Sequence, residues 1–121
     1  MILVDTSIWI DHLRAHDRIL ADLLHAGSVL IHPFVLGEIA LGAMRQREAI
    51  LTALRNLPQA GIAMDHEALA FIERHRLFGR GLGYVDVHLL AAVCLTPHAR
   101  LWTRDRRLNE AARELDLNML V

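Results

Sequence analysis

Short, nearly all-apolar runs separated by helix-length segments constrain this chain more than any other feature. Residues 1–4, 29–32, 100–103 and 117–120 read as strands, and residues 62–64 as a further short one. The segments between them carry helical signals. Thr6 or Ser7 can cap a helix running to about residue 14, and a helix over 17–26 stops at Gly27. Pro33 suits the first position of a helix over 33–44, followed by another over 48–57 and a turn at 58–61. Asp65 caps a helix to about residue 78, and the last two helices cover 85–95 and 106–115. Strands that lack polar alternation are covered on both faces. Strand–helix alternation therefore predicts an α/β fold: a mostly parallel sheet of about four or five strands with helices on both sides. No linker, repeat or low-complexity stretch divides the chain, so residues 1–121 are expected to form one domain.

Such sheets bind ligands at the carboxyl ends of their strands. Asp5 ends the first strand in "MILVDTSIWIDH", and Asp105 lies just past "RLWT". Two more acids stand in unusual company. Glu38 is the only charged residue in "HPFVLGEIALGAM", and Asp86 is the only acid in "YVDVHLLAAVCL". The other acids lie mostly in mixed polar stretches. Each of the four has a possible local use. Asp105 and Asp86 could cap the helices that follow them, Asp5 could accept from the next turn, and Glu38 could pair with an arginine. Convergence of all four is the alternative. Two carboxylates about 4 Å apart repel by roughly 4 kcal/mol at an effective dielectric near 20, so a converged set needs arginines or a divalent cation. Oxygen-only ligands of high negative charge suit Mg²⁺ or Mn²⁺. A metal held this way serves phosphodiester hydrolysis.

The remaining composition mostly excludes. A formal net charge of -1 gives no whole-protein argument for nucleic acid, so a basic surface must be local. All 13 basic residues are Arg, which removes Schiff-base and P-loop lysine chemistry. A single cysteine, Cys94, rules out an internal disulfide and a cysteine zinc site, and its apolar setting predicts a core residue. The N-terminal stretch is cut by Asp5 and Asp11 and lacks a basic leader, and no apolar run approaches a membrane span. A soluble cytoplasmic protein with no membrane partner is expected.

Arg104, Arg106 and Arg107 flank Asp105, and Arg80 precedes Asp86 in "GRGLGYVD". These four are candidate contacts to the phosphates of a polyanionic substrate. The hydroxyls of Ser7 and Thr103 could orient Asp5 or Asp105. Among eight histidines there is no HExxH; His12 and His16 have only weak zinc spacing, and His88 reads as a hydrogen-bonded histidine of the core or a groove. Trp9 and Trp102 read as core.

Taken together, "MILVDTSIWIDH", the Glu of "HPFVLGEIALG", the Asp of "GRGLGYVDVHLLAA" and "LWTRDRRL" resemble a PIN-domain ribonuclease, closest to the VapC toxins of type II toxin–antitoxin modules. The resemblance spans essentially the whole chain. It implies an α/β/α sandwich and a Mg²⁺- or Mn²⁺-dependent endoribonuclease. It assigns Asp5, Glu38, Asp86 and Asp105 to the catalytic, metal-binding quartet. It also implies a structured RNA substrate (tRNA or rRNA), a cognate VapB-type antitoxin, and a homodimer able to join a toxin–antitoxin hetero-oligomer.

Two rivals are separable. Phospho-accepting receivers and haloacid-dehalogenase-like phosphatases also place an Asp at a strand end, but they rely on a lysine that is absent here. A non-catalytic PIN-like module that binds RNA or protein is usually marked by loss of one or more of the acids, and all four are present.

Overall fold

The computed structural model describes residues 1–120. Its elements run β1 (Ile2–Val4), α1 (Thr6–Arg14), α2 (Arg18–His25), β2 (Val29–Leu30), α3 (Pro33–Ala40) and α4 (Arg47–Arg55). They continue with α5 (Asp65–His75), α6 (Tyr84–Leu95), β3 (Arg100–Trp102) and α7 (Arg106–Glu114). The three strands form one parallel sheet in the order β2-β1-β3. The α/β class and parallel sheet agree with the sequence reading, but the strand count is lower than expected.

The two missing strands have distinct explanations. Residues 62–64 form no strand; Ile62 and Met64 are exposed. The pairing is made slightly earlier, where Gln59 bridges Ile31 through Ile31 N–H to Pro58 O and Ala60 N–H to Ile31 O, both 2.9 Å. Residues 117–120 do run beside β3, but as the single bridge Leu101–Asn118. Two helix ends also differ. α3 stops at Ala40 and not at Met44, with Gly42 N–H turned onto Ile39 O at 3.0 Å. α5 stops at His75, where Arg76 takes a left-handed backbone with φ 53°. Asp65 is the first residue of α5 and not its cap; Glu67 reaches back to Met64 N–H at 2.9 Å.

The centre of the core is a row across the sheet. Leu3 pairs in register with Leu30 on one side and Leu101 on the other, and all three are buried. α6 supplies the next layer, buried without a break from Val87 to Val93. A helix apolar all round must be covered all round, and α6 packs against both α5 and β3. Cys94, expected inside, falls one residue beyond this run and is exposed.

This topology places the site. The connection leaving β1 leads to β2, on one side of the sheet. The connection leaving β3 leads to the Asn118 bridge, on the other. Neighbouring connections that diverge leave a crevice at the carboxyl ends of their strands. Asp5 and Asp105 stand at that crevice. Truncating the central row tests the core: Leu3→Ala is expected to lose roughly 2–5 kcal/mol in urea unfolding, and a loss under about 1 kcal/mol would show that the sheet centre is not so packed.

Candidate active site

Each of the four acids is held by a different local device. Asp5 follows β1 and is the N-cap of α1, with its carboxylate accepting from Thr6 N–H at 2.8 Å. The expected caps, Thr6 and Ser7, therefore have other uses. Asp105 is the N-cap of α7 and accepts from Leu108 N–H at 2.9 Å. Asp86 lies in the first turn of α6 and accepts from Gly83 N–H at 3.0 Å. Helix N-termini carry partial positive charge, so all three aspartates sit where a helix offsets part of their cost. Glu38 lacks that help, being near the C-terminal end of α3. The Thr6 hydroxyl holds it instead, donating to Oε1 at 2.7 Å.

Thr103 joins the two acids that follow the strands. It is buried, donates its hydroxyl to Asp5 Oδ2 at 2.7 Å, and accepts from Asp105 N–H with the same oxygen at 3.0 Å. Ser7 is a weaker neighbour, 3.5 Å from Asp5 Oδ2.

Asp5, Glu38, Asp86 and Asp105 line a single open cleft of about 400 Å³, with Thr6, Ser7, Val85 and Arg104. A larger, more apolar groove of about 450 Å³ beside it contains only Glu38 of the four. Carboxylate density, and not cavity size, marks the chemistry. Among the described residues none of the four acids is in an ion pair. The one cation lining the cleft among them, Arg104, is bound to Asp11 and Asp17, at 2.7 Å each. Asp86 registers the imbalance. Burial raises its pKa, the Gly83 N–H opposes the rise, and the charges of Asp5, Asp105 and Glu38 add to it.

An oxygen-only, uncompensated donor set fits a hard dication in type and charge. It is not pre-closed: among the described residues no group of three or more His, Cys, Asp or Glu side chains is arranged to hold a metal ion outright. Each acid has an oxygen turned to a local donor, while Glu38 Oε2, Asp86 Oδ1 and Asp105 Oδ2 have no partner among the described residues.

The sequence matches the PIN domain family over residues 2–114. The chain belongs to the PIN-domain family. It is also 51% identical over 114 residues to Ribonuclease VapC32 of Mycobacterium tuberculosis, in strain CDC 1551 / Oshkosh and in strain ATCC 25618 / H37Rv. Each match covers 94% of this chain and 92% of the relative.

Other expected residues of this PIN domain fall away from the cleft. Arg80 pairs with Glu114 at 2.7 Å, and Arg106 with Glu110 one turn along α7 at 3.3 Å. Arg107 packs over Gly81. None of these three lines the cleft. His12 accepts from Asp17 N–H through Nδ1 at 2.9 Å, and its ring lies 5.3 Å from that of His16. That gives His12 a structural use, and among the described residues no third metal ligand joins the pair. His88 is buried as expected, but its ring nitrogens have no hydrogen-bond partner among the described residues, Asp65 being 3.6 Å away. Trp9 is core, whereas Trp102 is half-buried with the Arg104 guanidinium 5.6 Å above its ring. Thr6 is a functional residue that the sequence does not mark as the partner of Glu38; its adjacency to Asp5 is the one available signal.

Asp86 yields a test of the electrostatics. Its folded pKa lies above the ordinary 3.8, so ionised Asp86 opposes folding at neutral pH. That penalty fades as pH falls through the raised value and is gone below the ordinary one. Metal-free Asp86→Asn is therefore expected to melt above wild type near neutral pH, with the gap closing toward about pH 4. A variant that melts lower at neutral pH would make Asp86 a structural acid.

Proposed function

We propose that this PIN domain is the toxin of a type II toxin–antitoxin module, an endoribonuclease dependent on Mg²⁺ or Mn²⁺. Its substrate is structured RNA, tRNA or rRNA. The observation that carries this reading is that four carboxylates line one cleft while the only cation lining it, among the described residues, is committed elsewhere. The identity to a ribonuclease over nearly the full length of both chains supports the reaction class.

Asp5, Glu38, Asp86 and Asp105 are the residues that would hold the metal. When bound, the metal supplies Lewis-acid polarisation of the scissile phosphate and lowers the pKa of water. The chain's own part is to aim oxygens. Thr103 fixes Asp5 and the start of the Asp105 turn with one hydroxyl. Thr6 fixes Glu38 from α1, so Asp5 and its neighbour in sequence set two ligands at once. Gly83 sets Asp86. Such outer contacts typically change metal affinity or activity by about 10- to 100-fold. Arg80, Arg106 and Arg107 are assigned to the RNA backbone outside the cleft. Their ion pairs, where present, are single and partly exposed, and exposed pairs of this kind hold a side chain weakly.

The same negative cleft accounts for a cognate VapB-type antitoxin that blocks it with a basic side chain. We assign the protein to the cytoplasm, as a homodimer that can join the antitoxin complex. No helix among the described residues is long and apolar enough to cross a membrane.

Induced expression followed by sequencing of RNA 5′ ends tests the function. Wild type is expected to stop growth and to create new ends at defined positions in tRNA or rRNA. Asp5→Asn is expected to do neither, and chelation with EDTA to stop cleavage by the purified protein. Equal growth arrest by both proteins without new ends would replace the nuclease with a binding module.

A further inference from the structure

Arg104 stands beside a catalytic acid and lines the cleft, which is where a phosphate-binding arginine would be sought. Its terminal nitrogens already have partners. Nη1 donates to Asp11 Oδ2 and Nη2 to Asp17 Oδ2, each at 2.7 Å. Both terminal nitrogens are thus engaged in short charge-assisted bonds. Its guanidinium also lies over the Trp102 ring. Asp11 belongs to α1, and Asp17 is the N-cap of α2, accepting from Leu20 N–H through its other oxygen at 3.0 Å. The Leu20 bond and then Arg104 hold the Asp17 pKa below its ordinary value, while Asp17 and then Asp11 raise that of Arg104. Arg104 itself separates Thr103, which bonds Asp5, from Asp105.

We propose that Arg104 is a positioning residue: through Asp11 and Asp17 it locks the turn between β3 and α7 onto α1 and α2, and so holds Asp105 in register with Asp5. This inference rests on the nuclease reading only for its effect on metal. The clamp itself is a property of the fold. Asp11 and Asp17 do not line the cleft, so they separate the two roles open to Arg104. Removing their charges frees a phosphate ligand but breaks a clamp.

The test compares Arg104→Gln with the double variant Asp11→Asn/Asp17→Asn, in which the asparagine introduced at the N-cap of α2 keeps a capping oxygen. Three quantities are read: hydrogen exchange at the Asp105 and Leu108 amides, Mn²⁺ affinity, and the salt dependence of binding to an RNA hairpin in EDTA. A clamp predicts faster exchange at both amides in both variants. It also predicts Mn²⁺ affinity about 10- to 100-fold weaker and an unchanged salt slope. A phosphate ligand predicts opposite behaviour. Arg104→Gln would then make the slope shallower by about 0.9 and leave amide exchange unchanged; either result overturns the proposal. If wild type binds no Mn²⁺, the nuclease reading fails while amide exchange still decides the clamp. If Arg104→Gln does not fold, the double variant carries all three measurements.

Discussion

Like charges in a shared cleft repel, by roughly 4 kcal/mol for two carboxylates about 4 Å apart at an effective dielectric near 20. This chain brings Asp5, Glu38, Asp86 and Asp105 to one cleft without pairing any of them to an arginine among the described residues. Much of the surrounding architecture can be understood as what makes that arrangement tolerable. A parallel sheet whose neighbouring connections diverge opens a crevice at its strand ends, which lets two acids follow two adjacent strands. Three helices then begin at or beside that crevice, and each offers backbone N–H groups and a partial positive charge to an aspartate.

Capping and clustering were alternatives in the sequence, but they coexist in the structure. Asp5 and Asp105 each cap a helix and also face the cleft, and Asp86 accepts from Gly83 while its pKa is raised partly by the other three acids. The caps fix where the carboxylates stand and occupy one side of them. Among the described residues the group is not a finished metal cluster. Glu38 has no helix N-terminus to help it and depends on a single hydroxyl, Thr6.

The acids were legible because charge inside an apolar segment is visible in one dimension. Glu38 between Gly37 and Ile39, and Asp86 within the α6 sequence, stand out without any knowledge of contacts. The sheet was legible for the same reason, through its apolar runs. What was not legible depends on backbone geometry or distant partners. The Gln59 bridge to Ile31 is made by main-chain atoms and leaves no apolar pattern. The apolar residues after Ala40 read as helix, yet the chain turns at Gly42. Nothing beside Arg104 in the sequence marks Asp11 and Asp17 as its partners, which lie 93 and 87 residues away.

We propose that this cleft is a cation site completed by the four acids. Anomalous diffraction from crystals grown with manganese chloride tests it most directly. A manganese peak is expected, bounded by oxygens of Asp5, Glu38, Asp86 and Asp105, with those side chains drawn in around it. A cleft with no peak at saturating manganese, or a peak held by other residues, would contradict it.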